Sequence, residues 1–197
     1  MDEAEPSVER IHILGFPAVE ELDLVGPYEC LNVWHQEAGG TPCQVVAVEP
    51  GSFRGAHGLR ISPHMALADA PVPDLFIVPG GDGSRTASQS DVVLQRIRAC
   101  LDAGGFVASV CTGVRIVHAA RVLTGRTVST HRLAHDEVRS WKDVQLSHKR
   151  VTRDGPIWTA AGVASGLDLA LALIEALDGQ DARAAVARYV EYPPQSL

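Results

Sequence analysis

Four segments of this chain hold residues whose types and spacing could do chemistry. Ser109-Val-Cys111-Thr112-Gly113 places a cysteine at the end of an apolar run and just ahead of a helical pattern. A side chain there is presented on a sharp turn, and the N–H groups opening the next helix favour an anion, so the Cys111 thiol is expected to titrate low. A buried, inert cysteine is the alternative for such a position. Pro79-Gly80-Gly81-Asp82-Gly83 closes another apolar run. Its glycines let the backbone pass close to a neighbour, and one N–H there, with that of Thr112, would form a two-point oxyanion hole beside Cys111. The glycines fit no nucleotide pattern: no Gly-Lys-Ser/Thr follows them and no Gly-x-Gly-x-x-Gly opens a helix.

Asp23 lies between Leu22 and Leu24. It is either a helix N-cap or an acid pushed into a partly apolar pocket, where its pKa would rise and it could carry protons for the thiol. Glu20 and Glu21 read as solvated surface. Of the eight histidines, His131 follows the short strand pattern at Thr127–Thr130 and is the best placed to approach a substrate. The others, and the cysteines Cys30, Cys43, Cys100 and Cys111, show no metal-ligand spacing, so no metal is expected.

The elements that must position these residues alternate. Arg10–Phe16, Cys43–Glu49, Asp74–Pro79 and Phe106–Cys111 read as strands, the last two mostly apolar, as for parallel strands buried on both faces. Helical patterns run over 22–34, 91–101, 112–122, 133–141 and 167–177, with a last segment over 180–190 before a frayed tail at Pro193-Pro194. Residues 52–68 read as a small extension, and 147–160 as a hairpin turned at Asp154-Gly155. Strands alternating with helices imply a mostly parallel sheet covered on both faces, with ligands at the carboxyl ends of the strands.

Composition narrows the rest. The 197 residues predict a single domain over 1–197, with its core over about 10–190. At 46% apolar and 21% charged, the chain can build a sizeable core. With 24 acids against 17 bases the net charge is −7, which argues against nucleic acid or an anionic membrane as partner. The 3 Trp, 3 Tyr and 4 Phe are too few for a base-stacking platform. No apolar run reaches the ~18–20 residues of a membrane span, the first residues are acidic, and free thiols suit a reducing cytoplasm.

Val110-Cys-Thr-Gly113, Pro79-Gly-Gly81, Leu22-Asp-Leu-Val-Gly-Pro27 and Ser129-Thr-His131, in this order, resemble the DJ-1/PfpI superfamily. Within it the likeness is nearest to isocyanide hydratases and to the amidotransferase-like domains of AraC-type regulators. It runs over about 10–178 and takes in Arg153-Asp-Gly155 and Ala161–Ala170. The resemblance implies a flavodoxin-like α/β sandwich with Cys111 as nucleophile on a strand-to-helix elbow. It makes Asp23 the acid that takes and returns the proton, puts the Thr112 side chain in the site, and makes the Gly81 and Thr112 amides the oxyanion donors. Gly80 and His131 would border the substrate.

The implied reaction is hydration of an isonitrile to an N-substituted formamide, with a small molecule as substrate, no cofactor, and a homodimer as the assembly. Thr112 stands where protease relatives carry histidine. Arg132 replaces an aromatic residue of the nearest relatives, Asp82 follows the glycine pair, and Val114 replaces a small polar residue. A sensor domain without catalysis and a redox-protective protein are the other functions the resemblance allows; for a complete regulator, a basic helix-turn-helix extension would be expected beyond Leu197.

Overall fold

The structure, a computed structural model, describes residues 7–193, so Pro194 of the expected frayed tail lies outside the described residues. In chain order the elements are β1 (Ile11–Gly15), α1 (Glu21–Ala38), β2 (Cys43–Ala47), β3 (Phe53–Arg54), β4 (Arg60–Ile61), β5 (Met65–Ala66) and β6 (Leu75–Val78). There follow α2 (Ser84–Ala87), α3 (Asp91–Asp102), β7 (Phe106–Val110), α4 (Val114–Ala119), β8 (Thr127–Val128) and α5 (His135–Ser140). The chain continues through β9 (Gln145–Leu146), β10 (Val151–Asp154), β11 (Ile157–Ala160) and α6 (Ser165–Tyr189).

Seven strands form the central sheet in the order β10-β11-β7-β6-β1-β2-β5, all parallel except the β10–β11 hairpin. β1, β6, β7 and β11 are buried along their whole length, which is why their sequences are apolar runs and not alternations. Helices α1 and α6 cover one face, and α3 and α4 the other. The result is the flavodoxin-like α/β sandwich.

Segments expected as single units divide in physically readable ways. The pattern over 112–122 resolves into a 3-10 turn at Cys111–Gly113 followed by α4. Residues 52–68 hold the β3–β4 hairpin and then β5, which joins the edge of the main sheet. The two final helices form one run broken at Gly179, whose φ of 88° and ψ of 177° interrupt the helical ladder. No helix among the described residues is long and apolar enough to cross a membrane.

The connectivity reverses between β1 and β6: the chain goes from β1 to β2 on one side and from β6 to β7 on the other. Such a reversal opens a crevice at the carboxyl ends of the two strands. The loops that leave β1, β6 and β7 there are the three segments with unusual chemistry. α1 is fastened above them by close packing on α6: Pro27 Cδ lies 3.1 Å from where a side chain on Gly166 would begin.

Candidate active site

Cys111 is the first residue beyond β7 and has a φ of +58°, in the left-handed region that a residue with a side chain rarely enters. Such a conformation costs on the order of 1–2 kcal/mol and needs support. Two hydrogen bonds supply it. The Cys111 N–H donates to the carbonyl of Ala161 at 2.7 Å, and the Thr130 hydroxyl donates to the Cys111 carbonyl at 2.7 Å. This is the expected elbow, and it leaves the residue 7% exposed.

Asp23 is not an N-cap. It lies in the first turn of α1, whose capping residue is Glu20, and it is fully buried. Its Oδ2 accepts the Gly80 N–H at 2.9 Å, while Oδ1 is buried with no hydrogen-bond partner. Burial pushes this carboxyl up to about 7, and the Glu20 charge adds to the rise. The Gly80 N–H, the Cys111 thiol and the Val163 N–H pull the other way. The thiol and the Val163 amide act on the carboxyl without meeting Oδ1 in hydrogen-bond geometry.

The expectation of a low-titrating thiol is corrected by the same surroundings. Burial, and then the negative charge of Asp23, push Cys111 up to about 12, although the amides of Thr112 and Val163 and the Thr112 hydroxyl favour the thiolate. The dry environment outweighs the helix-end dipole. A charge on the acid and a charge on the sulfur therefore oppose each other. With Asp23 charged the sulfur keeps its proton; once Asp23 takes that proton, the charge opposing a thiolate disappears.

Gly80 could be no other residue without displacing this pair. A Cβ there would stand 2.6 Å from both the N and Oγ1 of Thr112 and 3.0 Å from Asp23 Oδ2. The Gly81 N–H, expected as an oxyanion donor, is committed to Thr112 Oγ1 at 3.0 Å. The amides left facing the sulfur are those of Thr112 and Val163. Val163 escaped the sequence reading. It has a φ of +46° in the turn after β11, and that strand pairs in parallel with β7. Applying the carboxyl-end rule to β11 as well as to β7 would have found it.

His131 sits beside this centre. Its ring packs where a side chain on Gly162 would stand, its Nδ1 accepts the Leu133 N–H at 3.3 Å, and burial followed by the Arg132 and His135 charges keeps its pKa low. Asp82 and Arg132 are both exposed. Glu20 and Glu21, expected as solvated surface, are half-buried. Glu21 Oε1 accepts the N–H groups of His57 and Leu59 at 2.7 and 3.3 Å, which fastens the β3–β4 hairpin to α1. His57 Nε2 lies 3.3 Å from Glu20 Oε2. Glu20, Glu21 and His57 are also the one group of metal-ligand types whose donor atoms lie within 4.8 Å of each other among the described residues. The backbone bonds already made by Glu21 account for its place there.

Residues 9–176 match the DJ-1/PfpI family. The chain belongs to that family. Over 185 residues, 94% of this chain and 79% of the relative, it is 33% identical to a protein of Pseudomonas putida named isonitrile hydratase. It is 30% identical over 181 residues, 90% of this chain and 94% of the relative, to the Parkinson disease protein 7 homolog of Danio rerio. The fold superposes on the crystal structure of Drosophila melanogaster DJ-1beta with a TM-score of 0.85, at 20% identity, over 95% of this chain and all of that one. In this DJ-1/PfpI protein the family's elbow thus carries Cys111, with a buried aspartate brought up from α1.

Proposed function

We propose that this protein is a cysteine-dependent hydratase of small carbon–nitrogen substrates, in its specific form an isonitrile hydratase. The observation that carries the reading is the buried Asp23 carboxyl, pushed up to about 7 beside a thiol that cannot ionise alone. An acid poised near neutrality both accepts and returns a proton within one turnover. The 33% identity to the Pseudomonas putida isonitrile hydratase supports the choice of substrate.

The steps follow from what each group can do. Charged Asp23 takes the Cys111 proton, and the sulfur attacks the terminal carbon of R–N≡C, forming a C–S bond. Asp23 gives that proton to the same carbon, leaving a thioimidate, R–N=CH–S–Cys111. Asp23 then removes a proton from water as the water oxygen adds to the carbon, and passes that proton to the substrate nitrogen. Collapse of the added hydroxyl to the carbonyl expels the sulfur, which takes the hydroxyl proton through Asp23, and R–NH–CHO leaves, so the sum is isonitrile plus water. The Thr112 and Val163 amides support the anionic sulfur, and Gly80 and His131 border the substrate. The scheme needs neither metal nor organic cofactor.

As one domain, the chain would act as a homodimer in a compartment that keeps thiols reduced. Leu22 and Val25 on α1, each 38% exposed, and Leu59, 52% exposed, offer an apolar face for a second copy. The decisive experiment follows formamide production from p-nitrophenyl isocyanide. Absence of turnover in the wild type removes the isonitrile reading, and turnover that survives Cys111→Ala removes the mechanism.

A second reading, capture of peroxide by Cys111, is favoured by the amides of Thr112 and Val163 aimed at this sulfur while Cys30, Cys43 and Cys100 are sealed at 0–2% exposure. Two peroxides would each give one oxygen to form the sulfinic acid and leave as water. Mass spectrometry after mild peroxide decides it, since equal modification of all four cysteines would contradict it.

A further inference from the structure

A line of side chains runs from the surface to the elbow. Glu137 on α5 receives two hydrogen bonds from Arg115 on α4, one from Nε at 2.7 Å and one from Nη2. The third arm of the guanidinium, Nη1, donates to Ser84 Oγ at 2.9 Å. Ser84 is fully buried at the start of α2, and its Oγ lies 3.3 Å from Thr112 Oγ1. Thr112 Oγ1 also accepts the Gly81 N–H at 3.0 Å.

The protons along this line have a forced direction. A guanidinium only donates, so one lone pair of Ser84 Oγ is taken and the Ser84 proton is turned away from the positive charge. The acceptor within its reach is Thr112 Oγ1. A hydroxyl oxygen has two lone pairs and one proton. Both lone pairs of Thr112 Oγ1 are then occupied, by Ser84 and by Gly81. Its own proton is left to the Gly81 carbonyl, 3.3 Å away and already accepting the Ser84 N–H at 3.0 Å, or to the sulfur of the preceding residue.

We propose that Arg115, held by Glu137 and acting through Ser84, is a positioning residue that fixes the Thr112 hydroxyl as a hydrogen-bond donor to the Cys111 sulfur whenever that sulfur becomes anionic. The proposal rests on reading Cys111 as the nucleophile and assigns a task to three side chains that the reaction scheme leaves idle. That the Thr112 hydroxyl favours the thiolate at Cys111 agrees with it. The charged groups that act on Cys111 are Asp23 from α1 and Arg115 from α4, with Glu20 acting in turn on Asp23.

The test is the rate of Cys111 alkylation by iodoacetamide between pH 7 and 9, read by mass on the Cys111 peptide. No substrate is needed, so the result is independent of whether isonitriles are turned over. A hydrogen bond to a charged group is worth enough that Ser84→Ala should slow alkylation about tenfold at each pH while Arg115 keeps its charge. Arg115→Met, whose lost charge also acts on the sulfur, should slow it at least as much, and in a Thr112→Val background Ser84→Ala should no longer matter.

Glu137→Gln provides the sign. Loss of an anion acting only through space would speed alkylation, whereas a loosened Arg115 slows it. This half-exposed site also decides the matter if Ser84→Ala does not fold. Unchanged or faster alkylation in Glu137→Gln, an unaffected Ser84→Ala, or a Ser84→Ala effect that persists without the Thr112 hydroxyl would each overturn the proposal.

Discussion

Replacing Asp23 by asparagine should stabilise the protein progressively as the pH rises, while removing its activity. In the unfolded chain this carboxyl titrates near 3.8; in the fold it titrates at about 7, because burial penalises the charged form. The native state therefore holds the Asp23 proton roughly a thousandfold more tightly, about 4 kcal/mol. Below the unfolded value both states are protonated and the carboxyl is neutral in its effect. Between pH 4 and 7 the unfolded chain ionises and the native one does not, so wild-type stability drains away; above 7 the loss is complete.

Asparagine has no such titration. It does leave an amide N–H₂ near the position of Oδ1, which has no partner, at a pH-independent cost of about 1–3 kcal/mol. The readout is thus the change with pH and not the offset. Urea denaturation of both proteins at pH 4.5, 5.5, 7 and 8.5 should show the difference in unfolding free energy moving by about 3 kcal/mol in favour of the variant, then levelling. All other titrating groups are common to both chains and cancel. Parallel pH curves for the two proteins would refute the claim that the folded carboxyl holds its proton up to about pH 7.

Other outcomes follow from the same geometry. Because Asp23 must be charged to receive the thiol proton, kcat/KM for an isonitrile should rise with pH through about 7, and a flat profile from pH 5.5 to 8.5 would contradict the proton route. Gly80→Ala should cut turnover at least a hundredfold, since its methyl would stand 2.6 Å from Thr112 N; a melt and a steady-state assay separate loss of fold from loss of function. His12, 2% exposed in β1 with an unpartnered Nδ1, is held down to about 4 by burial and then by the Arg96 and Arg10 charges. Its contribution is intact above pH 6.5 and lost as the pH falls toward 4, about 3 kcal/mol, so His12→Phe should flatten the acid limb of the stability curve.

The parts of this molecule that were legible in the sequence are those written in contiguous residues. Leu75–Val78 and Phe106–Val110 announce buried strands because all their residues but Ser109 are apolar, and Cys111 stands out because it follows one of them. Asp23 was visible as an acid between leucines, but its choice between capping a helix and filling a dry pocket depends on α6, more than 140 residues on. The state of the Cys111 thiol was misjudged for the same reason. A helix-end dipole is a local property, whereas desolvation is set by every element that closes over the sulfur. Glu21 shows the limit most plainly: its partners, His57 and Leu59, lie on a hairpin whose place over α1 no local pattern encodes.

The reacting groups do not share a support. Cys111 hangs from the sheet at the tip of β7, whereas Asp23 rides on α1, which is wedged against α6 through Pro27 and Gly166. Proton hand-over between them thus crosses the seam between two layers, and its distance is set by how one slab sits on the other. A bulkier side chain at Gly166, in the first turn of α6, would lift the acid off its partner and throttle the chemistry with every reacting atom still present.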